Sequence, residues 1–237
     1  MFLCEMTSPE VAALPRDIVV LIPVASCEQH SLHLPVWTDS FIGQDVARRV
    51  HEKIPDDVIV LPVQWLGYSQ HHSRYPGTVS AISSTHVDLM LDMVDSMVRH
   101  GFRKILLQNS HGGNSAGIQV LLQRLMEKYP EEEAEFYSRW AWAGNDTLNS
   151  IRTLPGGSGH AGETETAMML AIRPDLVRSD RLDPACGCPG SPDTTVSINA
   201  RSMVASVIRD HPRQRWGRPC WRRRQRSRRE TLSRFGP

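Results

Sequence analysis

The chain has 237 residues, 40% hydrophobic and 22% charged, the balance of a soluble globular protein large enough for one α/β domain with a sizeable core. Its net charge of +1 conceals a division: nine arginines lie between positions 213 and 229, and subtracting them leaves about −8 for the rest. No apolar run approaches the ~20 residues of a membrane-spanning helix, and the first residues, with Glu5 and Glu10, lack the basic and apolar regions of a signal peptide.

Five scattered cysteines (Cys4, Cys27, Cys186, Cys188, Cys220) are an odd number without framework spacing, which fits a reducing, cytoplasmic setting. The sequon-like Asn145-Asp146-Thr147 is then a chance match. Cys186 and Cys188 alone are too small a thiolate set to indicate a soft metal.

Residues 17–25, DIVVLIPVA, form a β-branched run suited to a parallel strand buried on both faces. A helix follows over 41–54, with Phe41, Ile42, Val46 and Val50 at helical spacing. A second strand over 58–63 leads into a long polar loop, 64–83, carrying Tyr68, His71, His72 and Tyr75. Loops of that length in compact domains tend to be functional.

Ser84 is placed to cap a helix running to His100, with Gly101 where a left-handed C-cap falls. A third strand over 104–108 turns through NSHGGN, 109–114, into a helix over 115–128. A fourth strand is expected over 135–142 and a further helix over 162–172, stopped by Pro174. This alternation predicts an α/β fold, a three-layer α/β/α sandwich with a mostly parallel central sheet. The domain is expected to span 1–210, with an arginine-rich tail over 211–237. Neither a phosphate-binding loop nor a dinucleotide fingerprint is present, so nucleotide chemistry is not indicated.

Glu28, His30 and Asp39 follow the first strand, His111 follows the third, and His160 with Glu163 opens a late helix. All can converge on one rim of the sheet, beyond the strand ends where parallel sheets place their sites. Carboxylates and imidazoles are the donor set of hydrolytic zinc or manganese, and a carboxylate bridges two ions where an imidazole cannot. On extended chain Glu28 and His30 point the same way and can serve neighbouring ions, with Asp39 positioned to bridge. Taken singly, Asp39 reads as a helix cap, His33 as a buried hydrogen-bonded residue and Glu28 as solvated. Jointly, a polar cluster at strand ends favours a metal site.

The motifs PVASCEQHSLHLPVWTD, YPGTVS, NSHGGN and SGHAGETETAMMLAIRPDLV resemble, in order and spacing, the creatininase (creatinine amidohydrolase) family over about residues 19–183. The family pattern has glycines where this chain has Ala25 and Ser31. The resemblance implies a binuclear amidohydrolase with Glu28, Asp39 and His111 on one metal and His30 and Asp39 on the other. Zn, Mn and Fe all suit these ligands. Creatininase proper carries a glutamate where this chain has Gly113, and an apolar residue where it has Glu163. Glu163 is therefore the expected replacement ligand, with Glu165 as the alternative or as support for a ligating histidine. His160 matches the family's catalytic histidine and is the expected proton shuttle.

The implied reaction is attack of a metal-bridging hydroxide on a C–N amide carbon of a small cyclic amide or formamide. Tyr68, His71 and Trp142 are the expected substrate contacts. Trp140 stands beside Trp142, and both are equally well read as core. A homo-oligomer, a hexamer by resemblance, is expected. Two rival readings are a Cys27 nucleophile and a nucleic-acid-binding tail, WRRRQRSRR. The tail has no aromatic platform or recognition helix, so nucleic acid is not the expected partner, nor is a membrane.

Overall fold

The structure is a computed structural model, described for residues 1–129, 134–142 and 159–182. The 211–237 tail, the boundary assigned near 210, the Cys186 and Cys188 pair and the Asn145 sequon lie outside the described residues.

A short helix α1 (Ser8–Ala12) precedes strand β1 (Val19–Val24). Then come α2 (Thr38–Lys53), β2 (Val58–Val60), α3 (Ser83–Arg99), β3 (Lys104–Asn109), α4 (Ser115–Lys128), β4 (Glu135–Trp140) and α5 (Glu163–Ile172). The strands form one parallel sheet in the order β2-β1-β3-β4.

Alternation along the strands divides the core. Val20, Ile22 and Val24 of β1, with Ile105 and Leu107 of β3, pack beneath α3 and α4 through Val87, Met90, Val94, Ile118 and Leu121. Leu21, Val58 and Val60 turn to the opposite face, against Ala47 and Val50 of α2. Further along α2, Ile42 meets Met169 of α5. Helices therefore cover both faces, the three layers expected from the sequence.

Several boundaries differ from expectation for local reasons. β2 ends at Val60, before Pro62, which has no N–H to extend the ladder. β4 ends at Trp140, two residues early. Ser84 lies inside α3 rather than capping it, the capping position being Ile82. Gly101 does terminate that helix: at φ +91° it donates its N–H to Val98 O, and Phe102 donates to Met97 O. This paired arrangement satisfies two carbonyls at the helix end.

The first strand lies centrally. From β1 the chain moves outward to β2, then returns to place β3 on the other flank of β1. Such a reversal opens a crevice beyond the carboxyl ends of the two strands. Val24 and Asn109 end them in register.

Candidate metal centre

α2 begins at Thr38, earlier than the apolar spacing suggests, which places Asp39 in its first turn. Its carboxylate caps nothing and reaches two histidines instead: Oδ1 lies 3.3 Å from His30 Nε2 and Oδ2 lies 2.9 Å from His111 Nδ1. Ser26 donates its hydroxyl to Oδ2 at 2.7 Å, and Ser110 donates to the Asp39 carbonyl at 2.9 Å.

Each histidine's second nitrogen is held by a backbone carbonyl. His30 Nδ1 donates to Glu28 O at 3.0 Å, and His111 Nε2 donates to Tyr68 O at 3.0 Å. The proton on each neutral ring is thereby placed away from Asp39, and the lone pairs of His30 Nε2 and His111 Nδ1 face the carboxylates. This is the second-layer arrangement that orients metal-ligating imidazoles. His30 Nε2 is buried and makes no hydrogen bond, with only carboxylate oxygens of Asp39 and Glu165 facing it at 3.3 and 3.6 Å, a lone pair that a cation would satisfy.

Glu28 projects both oxygens into the crevice. Oε1 lies 3.3 Å from His111 Nδ1 and 3.2 Å from His160 Nδ1, while Oε2 lies 2.9 Å from His72 Nδ1. Glu165 Oε2 stands 3.6 Å from His30 Nε2 and accepts the Ala161 N–H at 2.6 Å. Donor groups able to hold an ion include Glu28, His30 and Asp39, and separately His30, His160 and Glu165.

The charge balance of the cluster calls for cations. Burial opposes ionisation of Glu28 and Asp39, yet their histidine neighbours hold both carboxyls well below the usual range. Burial likewise opposes charging of His30, but Asp39, Glu165 and Glu28 outweigh it and push its imidazole up to about 10. His111 is raised well above its ordinary value against the same burial by Asp39 and Glu28. Glu165, buried and close to two other carboxylates, is raised to about 7. Protons on these histidines take the place that divalent ions would fill, and carboxylate and imidazole are donors that such ions accept.

Of the expected site residues, Glu28, His30, Asp39, His111 and His160 converge. Glu163 is buried in the first turn of α5 but joins none of the groups able to hold an ion among the described residues; Glu165 does. Gly113, where the resemblance places a glutamate, has no room for a side chain. A Cβ there would meet Tyr68 O at 2.2 Å and His111 Nε2 at 2.4 Å.

A cavity of about 240 Å³ opens over Glu28 and Glu165, walled by His71, His72, Trp140 and Trp142. The Trp140 and Trp142 rings lie 5.3 Å apart. Trp142 also packs on the cluster joining α2 to α5, so it both lines the cavity and covers core residues. Tyr68 holds His111 through its carbonyl, with its ring 6.5 Å from that of His71. Cys27 is buried, its Sγ 3.6 Å from Gly77 O, and burial raises its thiol, the reverse of an activated nucleophile.

His72 escaped sequence reasoning as a site residue, because a histidine in a polar loop carries no spacing signal of its own. Gln29 escaped it as well. Its side chain joins His160 at 2.9 Å. His33 is the buried, hydrogen-bonded histidine that its bland reading described, 2.8 Å from Thr166 Oγ1.

A family model described as creatininase, creatinine amidohydrolase, matches residues 4–219. The chain belongs to the creatininase family. It is 34% identical over 173 residues to the mycofactocin precursor peptide peptidase of Mycolicibacterium smegmatis, a match covering 71% of this chain and 63% of that relative. It thus spans less than two thirds of that protein's length. It is 32% identical over 197 residues to the creatinine amidohydrolase of Pseudomonas putida, covering 76% of this chain and 75% of the relative. A crystal structure of creatininase superposes with a TM-score of 0.68 at 29% identity, covering 76% and 75% of the two chains. A manganese creatininase and a mutant creatininase of Zn–Zn type superpose with a TM-score of 0.65 each, both at 30% identity. The former covers 76% of both chains; the latter covers 76% of this chain and 75% of its own.

Proposed function

We propose that the chain is a binuclear metal-dependent hydrolase that cleaves a C–N bond in a small cyclic amide or formamide. The observation that carries this reading is the two-sided Asp39, whose oxygens face His30 Nε2 and His111 Nδ1 while both rings are fixed from behind by carbonyls. Glu28, Asp39 and His111 would hold one ion; His30, Asp39 and Glu165 would hold the other. Two divalent ions there, zinc, manganese or iron, supply activated water at neutral pH and polarise an amide carbonyl.

The chain's own residues do the rest. Ser26 and Ser110 hold Asp39 between His30 and His111, the position from which it would serve both ions. His72 steadies Glu28, and His160 presents Nδ1 over the same carboxylate. Trp140 and Trp142 give the cavity an apolar wall suited to a flat ring, and His71 a polar one. We also propose a cytoplasmic homo-oligomer, which light scattering on the purified full chain would test.

Elemental analysis of wild type and Asp39→Ala tests the metal reading, with creatinine, N-formylaniline, a small lactam and a short peptide assayed on the same samples. About two ions per chain, lost together with hydrolysis in the variant, is the expected result; a metal-free wild type would sink the proposal. Peptide-bond cleavage is a second reading, favoured by the 34% identity to a peptide peptidase. Turnover of the peptide alone would select it.

A further inference from the structure

Asn114 closes the NSHGGN motif and stands at the capping position of α4, where an asparagine ordinarily caps the helix with its own side chain. Here the side chain makes no capping bond and is fully buried. Its Oδ1 accepts the Tyr68 backbone N–H at 3.0 Å, and its Nδ2 donates to the Ala25 carbonyl at 2.9 Å. A backbone N–H only donates and a carbonyl only accepts, so the two bonds together fix which way the amide faces.

The amide therefore spans the gap between the end of β1 and the start of the 64–83 loop. That gap is narrow. A Cβ on Gly67, the residue before Tyr68, would meet Ala25 O at 2.4 Å and Asn114 Oδ1 at 2.9 Å. Gly67 is not among the glycines with left-handed backbone, so close approach is what demands glycine there.

Tyr68 turns its other side to the metal centre. Its carbonyl accepts from His111 Nε2 at 3.0 Å, and Ser69 Oγ, one residue on, lies 3.2 Å from the same nitrogen. The back of the His111 ring thus rests on a dipeptide whose N–H is tied to Asn114. Asn114 Nδ2 also lies 3.4 Å from Asn109 Oδ1, which accepts the His111 backbone N–H at 3.1 Å. One side chain bears on both the ring and the backbone of this histidine. His30 takes its support from the Glu28 carbonyl instead.

We propose that Asn114 is a positioning residue for His111, acting through the Tyr68 carbonyl, and that it serves the ion on Glu28, Asp39 and His111 but not the one on His30, Asp39 and Glu165. The inference rests on the two-ion reading of the site. Groups standing behind a ligating histidine set its orientation and basicity, and losing one weakens metal affinity by about 10- to 100-fold. A side chain that only supported the fold would weaken both ions alike.

The test is zinc affinity, read by chelator competition on the full chain, in two backgrounds each expected to keep a single ion. Glu165→Gln leaves the ion on Glu28, Asp39 and His111, and adding Asn114→Ala is expected to weaken it by about 10-fold or more. His111→Ala leaves the ion on His30, Asp39 and Glu165, and the same addition is expected to leave it unchanged. Equal weakening in the two backgrounds, or none in the first, overturns the proposal. A wild type that binds no zinc sinks the two-ion reading and this inference with it; two bound ions that are both indifferent to Asn114→Ala sink this inference alone. Should a variant fail to fold or to bind, hydrogen exchange at the Tyr68 amide of zinc-loaded wild type decides. A protected N–H upholds the proposal, and a freely exchanging one overturns it.

Discussion

Gly113 shows how one residue limits which side chains can enter the cluster. With Tyr68 O and His111 Nε2 both within 2.4 Å of any Cβ, this position is closed to a carboxylate, and the donor facing His30 comes from α5 as Glu165. The resemblance made Glu163 the expected replacement ligand and Glu165 the alternative; of the two, Glu165 is the one that joins a group able to hold an ion among the described residues. The two differ by half a helical turn, and a sequence without coordinates does not fix which side of a first turn faces the metals. Glu165→Gln is therefore expected to lose one of two zinc ions per chain, while Glu163→Gln keeps both; equal zinc content in the two variants would remove Glu165 from the ligand set. His72 was hidden for a related reason: it reaches Glu28 through loop geometry that no periodicity announces.

At the level of elements, the strands and helices were legible because burial on both faces leaves β1 as an unbroken apolar run and Ile105, Leu106 and Leu107 as a shorter one in β3, and because α3 carries its core residues on one stripe. The ends were less so. Proline cut β2 short, and α2 started ahead of its apolar stripe because its first turn serves the site, with Asp39 and Ser40 buried there. The end of α3 was readable, since Gly101 occupies a backbone conformation that other residues reach only with strain. Gly101→Ala is expected to cost about 1 kcal/mol through that strain, read as a lower urea midpoint with an unchanged slope. No shift in midpoint would mean that the C-cap contributes nothing to stability.

For the molecule as a whole, the centre ties stability to pH and to metal. His30 rises from 6.5 to about 10 and Glu165 from 4.5 to about 7 on folding. A raised folded value gives stability that is present at low pH and lost as pH climbs. Glu28 and Asp39 are depressed, so their contribution is present above the ordinary carboxylate range and lost only in acid. His33, His71, His86 and His160 are lowered and gain stability as pH rises toward 6.5, so it is above about pH 7, up to about 10, that chelator-treated protein should melt at progressively lower temperature. Zinc-reconstituted protein should hold its melting temperature over the same range, because ions replace the protons that the carboxylates demand. Parallel melting curves for the two forms would show that the cluster does not govern this dependence.

The bond from His72 to Glu28 has a consequence for how the protein would respond to its ligands. It fastens the 64–83 loop, one wall of the cavity, to a carboxylate aimed at the metals. Binding free energies at two linked sites are reciprocal: a molecule that binds more tightly with the metals in place strengthens their hold by the same factor. Chelation would then weaken the grip on substrate before it touched the chemistry, and a well-fitting substrate would slow the escape of the ions.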